Sequence, residues 1–233
     1  MFGLHFGPVF ARSDALVYGF WLTLQLSASA IVLGSLVGLS AAAVRNMGPR
    51  PLRWLVQTYV EIIRNTPFLV QLYIIFFGLP SLGFKINAIE AGILAMTINL
   101  GAYSTEIFRA GIESVHRSQI EAGQALALTR LQVFRHIVLV PAVARVWPSL
   151  VSQFILIMLT SSVCSFISVE ELSGASYTIQ SETFQSFEVY IVAGLVYLAL
   201  ALVLKMAFAA LGMRLFSRRR IKPIALHLPE MQP

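Results

Sequence analysis

The chain has 233 residues, of which 57% are hydrophobic and only 12% charged, with a formal net charge of +6. That charged share is about half the usual one for a soluble domain, and such apolar mass excludes solvated disorder. The single cysteine, Cys164, excludes an internal disulfide framework and a multi-cysteine metal site, so the sequence reads as an integral membrane protein.

Residues 1–12 carry Phe2, Phe6 and Phe10 at a spacing of four, which reads either as a segment lying along the outer interface or as a frayed terminus. The first apolar run, Ala15–Val44, has 30 positions without charge. It lacks a basic leader and is long enough to stay in the bilayer, so a cleaved signal peptide is not expected. Asn65–Phe84 is charge-free over 20 positions, Ala91–Thr105 over 15 and Val146–Val169 over 24. Val189–Leu204 is followed by Lys205, whose long stem can snorkel, and by the apolar run Met206–Met213. Five spans result, at about 16–44, 54–82, 87–109, 146–168 and 187–213. The expected fold class is all-α: a polytopic integral membrane protein with a five-helix core. One transmembrane domain covers 1–222, with a loop over about 110–145 and a short tail over 223–233.

Lys and Arg set the orientation. One set of flanks holds Arg12 and Lys85, and the other holds the remaining fifteen of the 17 basic residues. The positive-inside rule therefore predicts an outer N-terminus and a cytoplasmic C-terminus. Glu170, Glu171 and Glu182 then fall in an outer loop. Arg218–Arg220 anchors the last helix at the cytoplasmic lipid surface, and no nucleic-acid role is expected of it.

Polar residues inside the spans are the candidates for a solute pathway, because an unpaired charge in hydrocarbon is costly. Asn99, Tyr103 and Glu106 recur at i, i+4 and i+7 and share a helix face. Glu106 reads either as a pathway acid or as the partner of Arg109 three residues on. Gln153, Thr160, Ser161 and Cys164 cluster near one face of the fourth span; small hydroxylated residues there serve a pathway or helix packing. Gln25 and Ser29 read the same way. Glu61 and Arg64, three apart, read as an ion pair fixing the entry of the second span, or as a gate.

The 110–145 loop is patterned. Ser118 with Glu121 forms the grammar of a capping box, and Thr129 with Gln132 repeats it eleven residues later. Two short helices are expected, with a bend near Ala127–Leu128, and with Leu131, Phe134, Ile137 and Val138 sharing one face of the second. Pro141 is expected to end that helix, and Pro148 to start or kink the next span. The apolar face must be covered, either by the chain's own bundle or by a soluble partner.

These segments carry a resemblance. Glu121-Ala122-Gly123, Ala127, Ile137-Val138-Leu139 and Pro141 resemble the EAA loop of ABC-importer permeases. Over roughly 16–216 the chain looks like the polar-amino-acid permeases of ABC uptake systems. Arg64-Asn65-Thr66-Pro67 is similar to that family's Arg-Gly-Thr-Pro motif. Ala102–Ile112 is similar to its third-span ending, and Ser161–Leu172 to its fourth. There are departures. The family's loop Gly falls at Ala127, where a left-handed residue other than Gly costs about 1 kcal/mol, so a right-handed bend is expected. Gly123 stands for the second Ala of the motif, Asn65 for the Gly before Thr-Pro, and Leu159 for a common lysine.

The resemblance implies a transport subunit, not an enzyme, in the bacterial inner membrane. It implies a second permease subunit, ATP-binding cassette subunits, a periplasmic solute-binding protein and a small amino-acid substrate as partners. Glu121, Ala122, Gly123, Leu126, Ala127 and Leu128 would couple to the ATPase. Asn99, Tyr103, Glu106, Gln153 and Ser161 would line the pathway, and Glu61, Arg64, Thr66 and Pro67 would be structural or gating. No cofactor is expected on this chain: it lacks a G-x-x-x-x-G-K-[ST] loop, so ATP and Mg belong to the partner. An autonomous carrier or channel for small zwitterions is the alternative. An intramembrane enzyme would need a Ser–His or Cys–His pair, but His5, His116, His136 and His227 all lie outside the predicted spans.

Overall fold

The computed structural model describes residues 4–216; Phe2, Arg218–Arg220, Lys222, His227 and the tail 223–233 lie outside the described residues. Among the described residues the regular structure is entirely helical. Ten α-helices follow one another: α1 Gly7–Phe10, α2 Ser13–Met47, α3 Arg50–Arg64, α4 Phe68–Ser81, α5 Ala88–Glu113, α6 Arg117–Ala125, α7 Arg130–Val133, α8 Leu139–Thr160, α9 Leu172–Thr183 and α10 Ser186–Phe216. A π-helical turn, Phe134–Val138, joins α7 to α8, and a 3-10 segment, Ser161–Ile167, extends α8.

Three helical stretches are long and apolar enough to cross a membrane: Ser13–Met47, Arg130–Ile167 and Ser186–Phe216. A fourth qualifies only as a bent pair, α3 with α4, which meet at 109°. The stretch expected as one span over 54–82 is therefore two helices. Pro67 is the cause, since its ring pushes the preceding residue out of helical geometry and it offers no N–H to continue the ladder. Pro67 is extended (φ −63°, ψ 139°) and becomes the N-cap of α4.

α5 sits at the centre, packed against α2, α3, α4 and α8. At 26 residues it is about 39 Å long, but it is less apolar than the three stretches above. Its surroundings explain this. Thr97, Asn99, Ser104 and Thr105 are buried against other helices, and Asn99 and Thr105 find partners in Gln71 and the Gly101 carbonyl. Its N-terminus carries a complete capping box between Asn87 and Glu90.

α2 meets α5 through small residues. Ala30, Gly34, Gly38 and Ala42 recur every four positions, and all are buried. Small side chains at this spacing let two backbones approach closely. From Leu4 on, the N-terminal segment packs on the bundle: Val9 is fully buried in a cluster with Leu16, Leu172, Ile179 and Val189, while residues 1–3 lie outside the described residues. The His5 backbone N–H donates to Glu188 at 3.0 Å, and Arg12 pairs with Glu182.

The 110–145 loop is tighter than the sequence reading. α5 runs to Glu113, and Arg130–Ile167 is one unbroken helical stretch of 38 residues. Pro141 does not end a helix, because it falls in the first turn of α8, just past the π turn, where its missing N–H removes little. The Thr129–Gln132 capping box forms as expected. The Ser118 box does not. His116 is the N-cap of α6, its Nδ1 accepting from the Ser118 N–H and lying 2.7 Å from the Ser118 hydroxyl.

Candidate functional site

The face carrying Asn99, Tyr103 and Glu106 is a fastening strip. Asn99 Nδ2 donates to Gln71 Oε1 at 3.0 Å. The Gln71 amide in turn donates to the Ile63 carbonyl at 2.8 Å, the Thr66 carbonyl at 3.0 Å and the Thr66 hydroxyl at 2.9 Å. The bend between α3 and α4 is thus tied to α5 through buried amides. Tyr103 receives the Arg64 guanidinium over its ring at 5.5 Å. Glu106 pairs with Arg45 of α2 and accepts from Arg109 at 2.8 and 2.9 Å; Arg109 also reaches Glu113 at 2.6 Å. The ion-pair reading of Glu106 holds: its i+3 pair with Arg109 exists, and Arg45, 61 residues away, joins it.

The expected Glu61–Arg64 ion pair does not form. Arg64 turns to Tyr103, and Glu61 accepts from Asn65 Nδ2 through both its carbonyl (2.8 Å) and its carboxylate (3.3 Å). Asn65, where the related motif has Gly, therefore closes the end of α3 with its own side chain. The Thr66 hydroxyl adds a bond to the Ile62 carbonyl at 2.9 Å. In the Arg130–Ile167 stretch Ser161 is buried and its hydroxyl donates to the Met158 carbonyl at 2.7 Å, while Gln153 is half-buried on α8. Cys164 packs against Met96.

A cavity of about 680 Å³ lies at the far end of that stretch, between the 3-10 segment, α9 and Tyr190 of α10. Ser162, Ser165 and Ser168 all line it, because a 3-10 helix has three residues per turn and stacks every third side chain. The sequence reading missed this row; its signal was the Ser-x-x-Ser-x-x-Ser spacing, read there with helical period. Ser168 closes the segment in left-handed conformation (φ 64°).

Behind the cavity wall stands Glu171, fully buried at the N-cap of α9. Its carboxyl accepts from the Ser173 and Gly174 N–H groups at 2.9 and 3.0 Å, from Thr23 of α2 at 3.3 Å, and from the Tyr197 hydroxyl of α10. Burial pushes this carboxyl above the usual carboxylate range, against the pull of the Tyr197, Ser173, Gly174 and Thr23 hydrogen bonds. Thr23 Oγ1 also accepts from the Leu172 N–H at 3.1 Å, so one hydroxyl serves both groups. Gly19 lets α2 pass this close: a Cβ there would lie 3.0 Å from the Glu171 and Leu172 backbones. Three helices thus converge on one acid.

At the opposite end, α6 packs inward through Gly123, where a Cβ would meet Ile137 at 2.4 Å and Val133 at 3.2 Å. The covered face of the following stretch holds Val133 and Val138, with Phe134 and Ile137 half-buried. Leu131, expected on that face, is instead 67% exposed, since the π turn shifts the register. Leu126 is 76% exposed, Glu121, Ala122 and Ala127 are exposed, and Leu128 is half-buried. The loop therefore packs under its own bundle with one face and presents another.

Ala127 is left-handed (φ 57°), not right-handed. Its N–H donates to the Gln124 carbonyl at 2.9 Å and that of Leu128 to the Gly123 carbonyl at 3.2 Å, a Schellman closure of α6. The two hydrogen bonds and the burial of Gly123 outweigh the steric cost. Ala127→Gly is expected to stabilise the protein by up to about 1 kcal/mol, seen as a raised Tm in detergent; a lowered Tm would contradict the left-handed turn.

Comparison with known proteins gives one answer. The family described as "binding-protein-dependent transport system inner membrane component" matches residues 30–219. The chain is similar to the probable glutamine ABC transporter permease protein GlnM of Bacillus subtilis (strain 168), 36% identical over 84% of this chain and 91% of that protein. It is also similar to the octopine transport system permease protein OccM of Rhizobium radiobacter, 33% identical over 92% of each. Among solved structures, it matches one chain of "an amino acid ABC transporter with histidines" with a TM-score of 0.83 and 32% identity, covering 91% of this chain and 99% of that one.

Proposed function

Since the chain belongs to the family of binding-protein-dependent transport system inner membrane components, we propose that it is a permease subunit of an ATP-driven importer for polar amino acids or their derivatives. The family consists of transport permeases, not catalytic subunits, and its members are multi-pass inner-membrane proteins. In this reading the chain forms half of the translocation pathway, beside a second permease subunit, in a bacterial inner membrane. Two ATP-binding cassette subunits supply ATP and Mg in the cytoplasm, and a periplasmic binding protein delivers the solute. Relatives named for glutamine, arginine and octopine transport support the substrate class.

The proposed topology has five core spans: α2, the α3–α4 pair, α5, the Arg130–Ile167 stretch and α10. The length of α5 and its polar but protein-covered surface support its counting as a span. The lopsided Lys and Arg distribution supports an outer N-terminus and a cytoplasmic C-terminus.

One observation carries the coupling assignment: Leu126 and Leu131 stand exposed at the tip of a segment that is anchored on its other face. Large apolar side chains held out on a rigid element are what a partner groove engages. Glu121, Ala122 and the Ala127 turn flank them. An autonomous carrier leaves this surface unexplained. Leu126→Asp combined with Leu131→Asp is expected to cut ATP-driven uptake in proteoliposomes more than tenfold, with insertion and Tm unchanged because both side chains already face out. Undiminished uptake would overturn the docking assignment.

The solute-facing surface is better assigned to the cavity at the Ser162–Ser168 row than to Asn99, Tyr103 and Glu106. Asn99 and Glu106 have their polar groups engaged by Gln71, Arg45 and Arg109, and the Tyr103 ring is covered by Arg64. Ser161 is likewise engaged, and Gln153 lies on α8 outside the cavity lining.

A further inference from the structure

Resting on the import function proposed above, we infer that the 680 Å³ cavity prefers solutes carrying a positive charge, an ammonium or guanidinium side group, over solutes with a net negative charge. Its lining contains one carboxylate, Glu170, and no Lys, Arg or His. Four of the seven hydroxyls around it strengthen that bias, because their hydrogens are already spent. Ser162 donates to the Leu159 carbonyl at 2.8 Å, Ser165 to the Ser162 carbonyl at 2.7 Å, Thr178 to the Gly174 carbonyl at 3.2 Å, and Tyr190 to Gln180 Oε1 at 3.3 Å. What these groups offer the cavity is lone pairs, and lone pairs match a ligand rich in N–H donors.

The place where an anion would normally settle is taken. The N-terminus of α9 borders the cavity through Ser173 and Gly174, and free N–H groups there would favour a carboxylate. Both of those N–H groups are capped by the buried Glu171 carboxyl. A side-chain carboxylate entering the cavity therefore meets Glu170 and a wall on which four of the seven hydroxyls offer only lone pairs. A guanidinium meets the opposite, with the Tyr177 and Phe166 rings, both largely exposed, on the same wall.

The test uses the permease complex purified with its ATP-binding subunits and without its binding protein. Equilibrium binding of radiolabelled L-arginine and L-glutamate is measured for the native complex and for Glu170→Gln, with Tm as the folding control. Arginine is expected to bind at least tenfold tighter than glutamate, and Glu170→Gln to reduce that ratio to below threefold while Tm stays the same. Equal binding of the two in the native complex, or an unchanged ratio in Glu170→Gln, would overturn the inference and leave the import function standing. Proteoliposomes carrying the complete system, binding protein included, that take up neither solute nor L-glutamine with ATP would overturn the import function, and the inference with it.

Discussion

Gly38→Leu is expected to lower the yield of folded protein sharply, and Gly194→Leu to leave it unchanged. The two glycines sit on long apolar helices and differ only in what lies beside them. A Cβ on Gly38 would be 2.4 Å from the Ser104 Cβ and 3.0 Å from the Ser104 carbonyl carbon, whereas nothing lies within 4 Å of the same atom on Gly194. The obstacle at Gly38 is a Cβ and a backbone, neither of which can rotate away. α2 and α5 would have to separate, and the same separation would loosen Gly34 against Leu100, where a Cβ would already stand at 2.8 Å. Overpacking of this kind costs about 3 kcal/mol or more, a large fraction of the whole stability of a domain. Detergent-solubilised monodispersity and Tm measure it. Equal behaviour of the two variants would mean that α2 does not meet α5 through its small-residue stripe.

The second large effect is expected at Glu106. Its side chain is 18% exposed and faces two guanidiniums, Arg45 at 21% and Arg109 at 33%. Glu106→Ala leaves two partly buried like charges together, with only the more exposed Glu113, on Arg109, as counter-charge. Removing one partner of a fully buried pair costs about 3–5 kcal/mol; the partial exposure here lowers the expectation to about 2 kcal/mol. The diagnostic is the double variant. Arg45→Gln placed in the Glu106→Ala background should recover part of the lost Tm, because the remaining Arg109 still has Glu113. Strictly additive losses would show that the pair does not couple α2 to α5.

Much of this arrangement is legible in the sequence, and the illegible parts have definite causes. The shared face of Asn99, Tyr103 and Glu106 follows from helical period alone. Their partners do not, because Gln71 and Arg45 are brought there by packing across 28 and 61 residues. Thr66-Pro67 marks a break, but its 109° angle is set by the Gln71 and Tyr59 contacts with α5; the Tyr59 hydroxyl donates to the Ile98 carbonyl at 2.6 Å. At Ala127, local sterics argued for a right-handed bend, and tertiary burial of Gly123 with two hydrogen bonds overrode them. The serine row at the cavity was hidden by a change of period from 3.6 to 3.0 at Thr160. Glu171 read as an outer-loop acid by its neighbours in sequence, and only the convergence of α2, α9 and α10 buries it.

The unbroken stretch from Arg130 to Ile167 has a mechanical meaning. Its 38 residues make a rod of roughly 57 Å. One end carries Leu131 beside the α6 tip, and the other carries Ser162 and Ser165 in the cavity wall. A rod of that length tilting by about 5° around its middle displaces each end by roughly 2.5 Å, in opposite directions. Under the docking role proposed above, a push on Leu131 would reach the serines as a stroke comparable to the length of a hydrogen bond.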